Sequence, residues 1–301
     1  MIPSEVDVSI CILGLNAGSY LQDCLASIYA SGITSTFEII YADNHSSDDS
    51  VALTRANHPD VKIFEHEQNL GYARGYNPAI RQARGRYVLL LNPDTLVPQG
   101  SIQTLADYLD QHPQTGIVGP KVLNADGTFQ AQCKRGEARP WEVICYFSGL
   151  SRLYPHDPRF SGYLQGHLSE DETNDVPAIS GSCMMIRREV IEKTGLLDEA
   201  FFAYQEDTDY CVRARKAGWK VTYLPAAQIT HYGGKGGAKE QPYKAIYEWH
   251  HSYMIYYRKH LAHDYFFLLN WFFYFLMGLK LAYSLLLNTF RIEKHPGPKR
   301  A

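Results

Sequence analysis

Between Val8 and Leu91 short apolar runs alternate with amphipathic stretches, and this alternation restricts the fold more than any other feature of the chain. Val8 to Leu15, Phe37 to Ala42, Val61 to Glu65 and Tyr87 to Leu91 read as strands bounded by turn-forming residues. Tyr20 to Ala30, Asp48 to Ala56 and Gly75 to Ala83 read as the helices between them. Strands and helices in this order imply a parallel sheet with helices on its faces, so the expected class is α/β with a mostly parallel central sheet. Ligands of such sheets bind beyond the carboxyl ends of the strands. Asn16 follows the first strand, Asp43 and Asn44 the second, Asn69 to Asn77 the third, and Asn92 to Thr95 the fourth. Asn and Asp are also ordinary turn and cap residues, and Asp43 to Asp48 has the composition of a helix cap.

Beyond Gly119 the pattern weakens as far as Thr173, with Pro140, Pro155 and Pro158, and surface loops with short strands are expected. Regularity returns with Ala178 to Ile186, read as one buried strand, the helix Arg188 to Thr194, the helix Asp207 to Ala217 and the short strand Trp219 to Leu224. Ile229 to Gly237 is rich enough in glycine to suggest a mobile loop able to act as a lid. Just before the Asp207 helix, Glu206, Asp207 and Asp209 crowd like charges together. Such crowding marks either a functional site or a helix start that exploits the positive end of the helix dipole. Paired with the upstream turn Asn92-Pro93-Asp94, it suggests a site with a metal and a base.

A chain of 301 residues with a formal charge of −3 has room for a substantial core and no global basic field, which argues against nucleic acid as a partner. The six cysteines include no C-x-x-C pair and several lie in apolar runs, so reduced core thiols are expected. Met1 to Ile10 has neither the basic start nor the long apolar run of a secretory signal. Gly14 to Gly18 is a poor match to G-x-G-x-x-G, which argues against a dinucleotide oxidoreductase.

Near the other end, Tyr265 to Leu287 is overwhelmingly aromatic and aliphatic; as a helix it would be about 35 Å long. Asn270, Tyr274, Ser284 and Asn288 fall near one stripe with Lys280 beside them, and basic residues flank the segment. A narrow wet face predicts a helix lying in a membrane interface; a true span and a buried or oligomer-forming helix pair stay open.

The order of motifs resembles the inverting family 2 glycosyltransferases of the GT-A fold, in their rhamnosyltransferase-like branch. The resemblance runs from Val6 to Lys259 and rests on Asp43-Asn44-x-Ser46-x-Asp48, Asn69-x-Gly71-x-Ala73-x-Gly75-x-Asn77, Leu91-Asn92-Pro93-Asp94, and Glu206-Asp207-x-Asp209 followed by Arg213 to Trp219. It implies a catalytic domain over 1–240, with a nucleotide-sugar half to about 120 and an acceptor half after it, and a membrane-associating helical segment over 241–301. It also implies an inverting hexosyltransferase that uses Mg2+ or Mn2+ and works peripherally on the cytoplasmic face of the plasma membrane in surface polysaccharide assembly. The donor it suggests is dTDP-rhamnose and the acceptor a lipid-diphosphate-linked saccharide; another sugar from a UDP donor, a non-catalytic scaffold and homo-oligomer formation stay open. By the same resemblance Asp207 is the base, with Glu206 as the competing assignment. Asp94 with Asn92 and His231 would hold the metal, Asn92 standing where the family has a first Asp. Asn16, Asp43, Asn44, Asn69, Gly71, Arg74 and Asn77 would surround the nucleotide. Ser180, Gly181 and Asp209 would contact donor sugar or acceptor.

Overall fold

The computed structural model describes residues 6–233 and 241–294. Its first half follows the expected alternation: β1 (Val8–Gly14), α1 (Gly18–Ala30), β2 (Phe37–Asp43), α2 (Ser50–Asn57), β3 (Lys62–Glu65), α3 (Gly71–Gln82) and β4 (Tyr87–Leu91). All five residues of β4 are buried, as a strand covered on both faces requires. The parallel register pairs Gly14 with Asp43 and Ile12 with Leu91, which brings the carboxyl ends of β1, β2 and β4 to one edge. Helix α3 starts one turn before the expected Gly75, because the side chains of Asn44, after β2, and Asn69, in the preceding loop, take up its first N–H groups.

The second half departs further from the sequence reading. β5 (Thr95–Leu96), α4 (Ser101–Gln111) and β6 (Thr115–Leu123) follow β4, and β6 is a buried member of the main sheet although its sequence runs into the stretch that reads as irregular. Next come β7 (Lys134–Arg135), three short helices α5 (Pro140–Ser148), α6 (Leu150–Leu153) and α7 (Pro158–Ser161), and β8 (Asn174–Asp175). The single strand expected over Ala178–Ile186 is two: β9 (Ala178–Ile179) pairs with β7 in a separate ribbon, and β10 (Cys183–Arg187) enters the main sheet. The break is the turn Ser180–Ser182, where the Ser182 N–H donates to Ser180 Oγ at 3.3 Å and the Ser180 N–H to the Cys133 carbonyl at 3.0 Å. Then follow α8 (Arg188–Thr194), α9 (Glu206–Lys216) and β11 (Lys220–His231), longer than expected. The sheet order is β3-β2-β1-β4-β10-β6-β11-β5, with β10 antiparallel to both its neighbours. All six cysteines are buried and unpaired.

Helices α10 (Pro242–His260) and α11 (Phe267–Lys294) complete the chain. α10 is rooted in the body: the hydroxyls of Tyr253 and Tyr256 donate to the carbonyls of Ala138 and Glu137, each at 2.7 Å. Around them Val143, Phe201, Val212, Tyr257, Phe273 and Met277 form a second apolar cluster. The polar stripe of α11, expected to face water, is turned inward instead. Asn270 accepts from the Tyr257 hydroxyl and donates to the Ala262 carbonyl, and Lys280 donates to His250 Nε2 at 3.0 Å. The opposite face, including Phe267, Trp271, Phe272, Phe275, Leu279 and Tyr283, is exposed. Phe267–Phe290 is long and apolar enough to cross a membrane.

Candidate active site

At the ends of β1 and β2, Asp43 is buried and accepts from the Tyr41 hydroxyl at 2.8 Å and from the Ser46 N–H at 2.9 Å. Asn16, in the left-handed region at φ 50°, donates its own N–H to Ser46 Oγ at 2.9 Å and accepts the Ser47 N–H at 2.8 Å. The 46–47 turn therefore binds Asn16 and Asp43 together. Asn44 and Asn69 form a clasp: Asn44 Nδ2 donates to Asn69 Oδ1 at 3.0 Å, while their oxygens accept the N–H groups of Leu70 and Gly71 at 2.8 and 2.9 Å. Gly71 has φ 76°, and a Cβ there would collide with the Phe202 carbonyl, so two requirements for glycine coincide.

Of the other expected nucleotide contacts, one is engaged by the fold. Asn77 is buried, donating to the Leu197 carbonyl at 3.0 Å and accepting the Leu197 N–H at 3.1 Å, which makes it a staple for the loop after α8. Arg74 is mostly exposed, and its carboxylate partner is Glu199 at 3.8 Å.

The turn after β4 meets the end of β11. Antiparallel pairing sets His231 opposite Thr95, so that His231 Nε2 lies 3.2 Å from Asp94 Oδ1 and 3.2 Å from Asn92 Nδ2. On the other side of the ring, Nδ1 is 2.9 Å from Gln130 Oε1. A carbonyl oxygen there accepts, so the proton resides on Nδ1 and the Nε2 lone pair is directed at the Asn92–Asp94 turn. An imidazole whose outer nitrogen is fixed by a hydrogen bond and whose inner nitrogen faces an amide and a carboxylate suits metal ligation. Among the described residues no three His, Cys, Asp or Glu side chains gather, so the set is one carboxylate, one imidazole and one amide.

The acidic cluster lies across the 180–182 turn from this set. Tyr204 and Gln205 both have positive φ, 68° and 66°, and this kink delivers Glu206 and Asp207 as the first residues of α9. Asp207 Oδ2 accepts the Gly181 N–H at 2.8 Å and pairs with the Arg135 guanidinium, while Oδ1 accepts the Thr208 N–H at 2.7 Å. Burial would raise its proton affinity, but Arg135 and the two backbone donors outweigh burial and hold Asp207 below the usual carboxylate range. Glu206 goes the other way: burial, then the Asp207 charge, raises it to about 8, and its Oε2 has no hydrogen-bond partner among the described residues. Adjacent carboxyls with opposed shifts make Asp207 the anion and Glu206 the neutral acid near pH 7.

The same turn reaches the set of Asp94, His231 and Asn92, because the Asn92 N–H donates to the Ser182 carbonyl at 3.0 Å. Gly181 cannot carry a Cβ without striking the Tyr72 hydroxyl, which itself donates to the Gly181 carbonyl at 2.7 Å. Ser180 acts within the turn through its Oγ. Asp209, expected at the sugar or acceptor, is instead sealed off. It is fully buried, with Oδ2 accepting from Arg213 at 2.8 Å and Oδ1 from His260 at 2.6 Å and Lys259 at 2.7 Å. Burial opposes its ionisation, yet these three donors hold it at about 2, and it ties α9 to α10.

Arg135, Gln130 and Tyr72 escape sequence reasoning. Arg135 and Gln130 sit in the aperiodic stretch, where nothing marks one basic or amide side chain over another, and Tyr72 falls in the loop before the helix read from Gly75, as an unspecified position of its motif. Only the β7–β9 ribbon and the end of β11 give Arg135 and Gln130 their neighbours. The lid expected of the glycine-rich loop falls largely on Gly234–Gly237, outside the described residues, as does the expected boundary at 240.

A family model described as glycosyl transferase family 2 matches residues 9–195, stopping short of the acidic cluster. An N-acetylglucosaminyl-diphospho-decaprenol L-rhamnosyltransferase of Mycobacterium tuberculosis is 29% identical over 226 residues, 71% of this chain and 72% of that protein. A low-salt glycan biosynthesis hexosyltransferase, Agl10, of Haloferax volcanii is 28% identical over 75% of this chain and 67% of its own length. Among solved structures, the mannosyltransferase PcManGT of Pyrobaculum calidifontis, in complex with GDP-Man and Mn2+, superposes with a TM-score of 0.57 at 16% identity, covering 99% of this chain and 79% of that one. S. aureus TarS 1-349 in complex with UDP-GlcNAc gives a TM-score of 0.58 at 15% identity, over 85% and 67% of the two chains. At such identities the likeness establishes the GT-A fold, as expected.

Proposed function

The chain belongs to glycosyl transferase family 2, in its rhamnosyltransferase-like branch, and from that premise we propose an inverting enzyme that moves L-rhamnose from dTDP-rhamnose onto a lipid-diphosphate-linked saccharide in cell-surface polysaccharide synthesis. The observation that carries this reading is the 180–182 turn, which holds the anionic base by Gly181 and the Asn92–Asp94 turn by Ser182. A sugar bound beside that turn would have the leaving-group site and the base within reach at once.

In this reading the acceptor hydroxyl attacks the anomeric carbon, the bond from that carbon to the diphosphate oxygen breaks, and Asp207 accepts the hydroxyl proton. Both Asp207 oxygens already carry protein donors: the Thr208 hydroxyl donates to Oδ1 at 3.3 Å, and on Oδ2 the Arg135 guanidinium is the donor on a side chain. The acceptor would approach by displacing or sharing that contact, since backbone N–H groups are less free to yield. Glu206, neutral near pH 7, can donate a hydrogen bond to a sugar hydroxyl without repelling Asp207.

Asp94, His231 and Asn92 have the oxygen and nitrogen donors that suit Mg2+ or Mn2+. A bound divalent cation would neutralise charge on the departing diphosphate, and a three-member protein set leaves further positions for phosphate oxygens. Asp43 and Asn16 stand where the nucleoside would lie. The lipid-linked acceptor is supported by the relative that acts on a decaprenol diphosphate and by the exposed apolar face of α11, which suits peripheral attachment at the cytoplasmic leaflet where nucleotide sugars are available.

The test is release of nucleoside diphosphate from a panel of nucleotide sugars, with Mg2+, Mn2+ or chelator, and with a polyprenyl-diphosphate-linked N-acetylglucosamine acceptor. Acceptor-dependent release from dTDP-rhamnose is the expected result. Release from a UDP-sugar alone would discard the donor, and silence across donors and acceptors would discard the activity.

A further inference from the structure

The exposed apolar surface does not stop at α11. Trp141, Ile144, Phe147, Leu153 and Tyr154 of the α5–α6 region are exposed as well. The two areas meet where the Phe147 ring lies 5.2 Å from Trp249 and the Lys280 ammonium sits over both, 3.9 and 4.4 Å from their centroids. At this junction Tyr146, Phe147, Ser148, Gly149 and Arg152 line an open pocket of about 360 Å³.

The charges at the junction are one-sided. No carboxylate pairs with Lys280 or Arg152 among the described residues, whereas Arg139, Arg159 and Lys259 do have such partners. Among the described residues Lys280 is held by His250 Nε2 and two ring faces, and burial lowers its proton affinity to about 8. From Phe267 to Phe290 the helix has no acidic residue. An apolar face that buries in acyl chains, with two uncompensated cations at the rim of a pocket, complements an anionic lipid rather than a protein groove.

We propose that the pocket between α5 and α6, completed by Lys280 across Phe147, seats the phosphate of an anionic phospholipid, so that the catalytic body itself, and not only α11, docks on the bilayer. This rests on the membrane-surface part of the reading above and on nothing in the transfer chemistry. The Tyr146 ring, which lines the pocket, lies 4.8 Å from that of Tyr163, whose electrostatic neighbours are Arg135 and Asp207. A body seated this way would present its site close to the leaflet that carries the acceptor.

The experiment is co-sedimentation of the full chain with vesicles of phosphatidylcholine alone or mixed with phosphatidylglycerol, for the wild type, Arg152→Ala, Lys280→Gln, the double variant and Lys280→Arg. Each neutralisation should weaken binding to the anionic vesicles by about fivefold and the pair by about thirtyfold, with Lys280→Arg close to wild type. Binding to phosphatidylcholine should be unchanged by all four variants. Equal losses on both vesicle types, or a double variant that binds anionic vesicles like wild type, would overturn the proposal. Preference for polyprenyl diphosphate over phosphatidylglycerol at equal vesicle charge would overturn the phospholipid as occupant. Thermal melting of each variant identifies any that fail to fold, and exposed Arg152→Ala keeps the test decisive if Lys280→Gln does. Transfer to a short, water-soluble acceptor should be the same in every variant, which separates failure here from failure of the transferase reading.

Discussion

The Asp207 carboxylate is clamped between the Arg135 guanidinium, from the β7 ribbon, and the Gly181 N–H, from the turn that opens onto β10. Neighbouring Glu206, also buried, pairs with no cation among the described residues, and its Oε2 has no hydrogen-bond partner there. The arrangement assigns different protonation states to adjacent residues, and removing either side of the clamp should have separable effects.

Arg135→Gln should raise the Asp207 proton affinity, because the positive charge that offsets burial is gone. Activity that requires the carboxylate is lost as pH falls through its pKa, so the acidic limb of the kcat profile should move to higher pH. Alkaline pH should then recover part of the lost rate. An acidic limb that stays in place would show that Arg135 does not tune the base.

Asp207→Asn should lower kcat by about 10²–10⁴-fold with little change in KM for the nucleotide sugar, the range expected for loss of a positioned base. Glu206→Gln should keep a large part of the rate, since the wild-type residue is already neutral near pH 7. The reverse ranking in steady-state kinetics would move the base to Glu206.

Glu206 also predicts a pH dependence of stability. Its folded-state pKa of about 8 exceeds an unfolded value of about 4.3. The native state therefore binds the extra proton, and this group erodes stability as pH rises between those values. Glu206→Gln should flatten that decline in thermal melts between pH 5 and 8 relative to wild type. Asp209 acts in the opposite sense: held at about 2, it supports the fold above about 3.9 and loses that contribution as pH falls through 2.

Gln130→Leu should weaken Mn2+ binding by about 10–100-fold, the usual effect of removing the outer hydrogen bond of a metal-ligating histidine. Calorimetric titration of Mn2+ in the presence of nucleoside diphosphate reads this without turnover. Asp94→Asn should lose more, and an unchanged affinity in Asp94→Asn would place the metal elsewhere.

Gly181→Ala should destabilise the protein by about 1–3 kcal/mol and slow transfer, because its Cβ meets the Tyr72 hydroxyl. Tyr72→Ala in the same chain removes the obstacle and should return part of the stability. Purely additive losses in a double-mutant cycle would contradict the contact.

The first half of the fold was legible because each of its strands is a local apolar run and each helix a local period, bounded by its own turn residues. Asp43, Asn16, Asp94 and Asp207 were nominated for the same reason, since each belongs to a short motif. Asn77 and Asp209 belong to the same motifs and have other tasks: a motif names residues, while burial decides whether a side chain faces the cleft or a loop carbonyl. β6 was missed because proline and glycine interrupt a strand whose burial comes from neighbours distant in sequence. The polar stripe of α11 was read as wet, since periodicity shows that two faces differ but not which of them meets α10.

By itself the sequence determined the class of sheet, the family and the edge at which Asp43, Asn92 and Asp94 gather, all of which depend on near neighbours along the chain. Only the tertiary structure decided that Arg135 sets the charge of Asp207, that Gln130 fixes the His231 tautomer and that Asp209 serves the fold. Proton affinities and hydrogen bonds depend on distances of a few ångströms between residues that the chain alone leaves far apart.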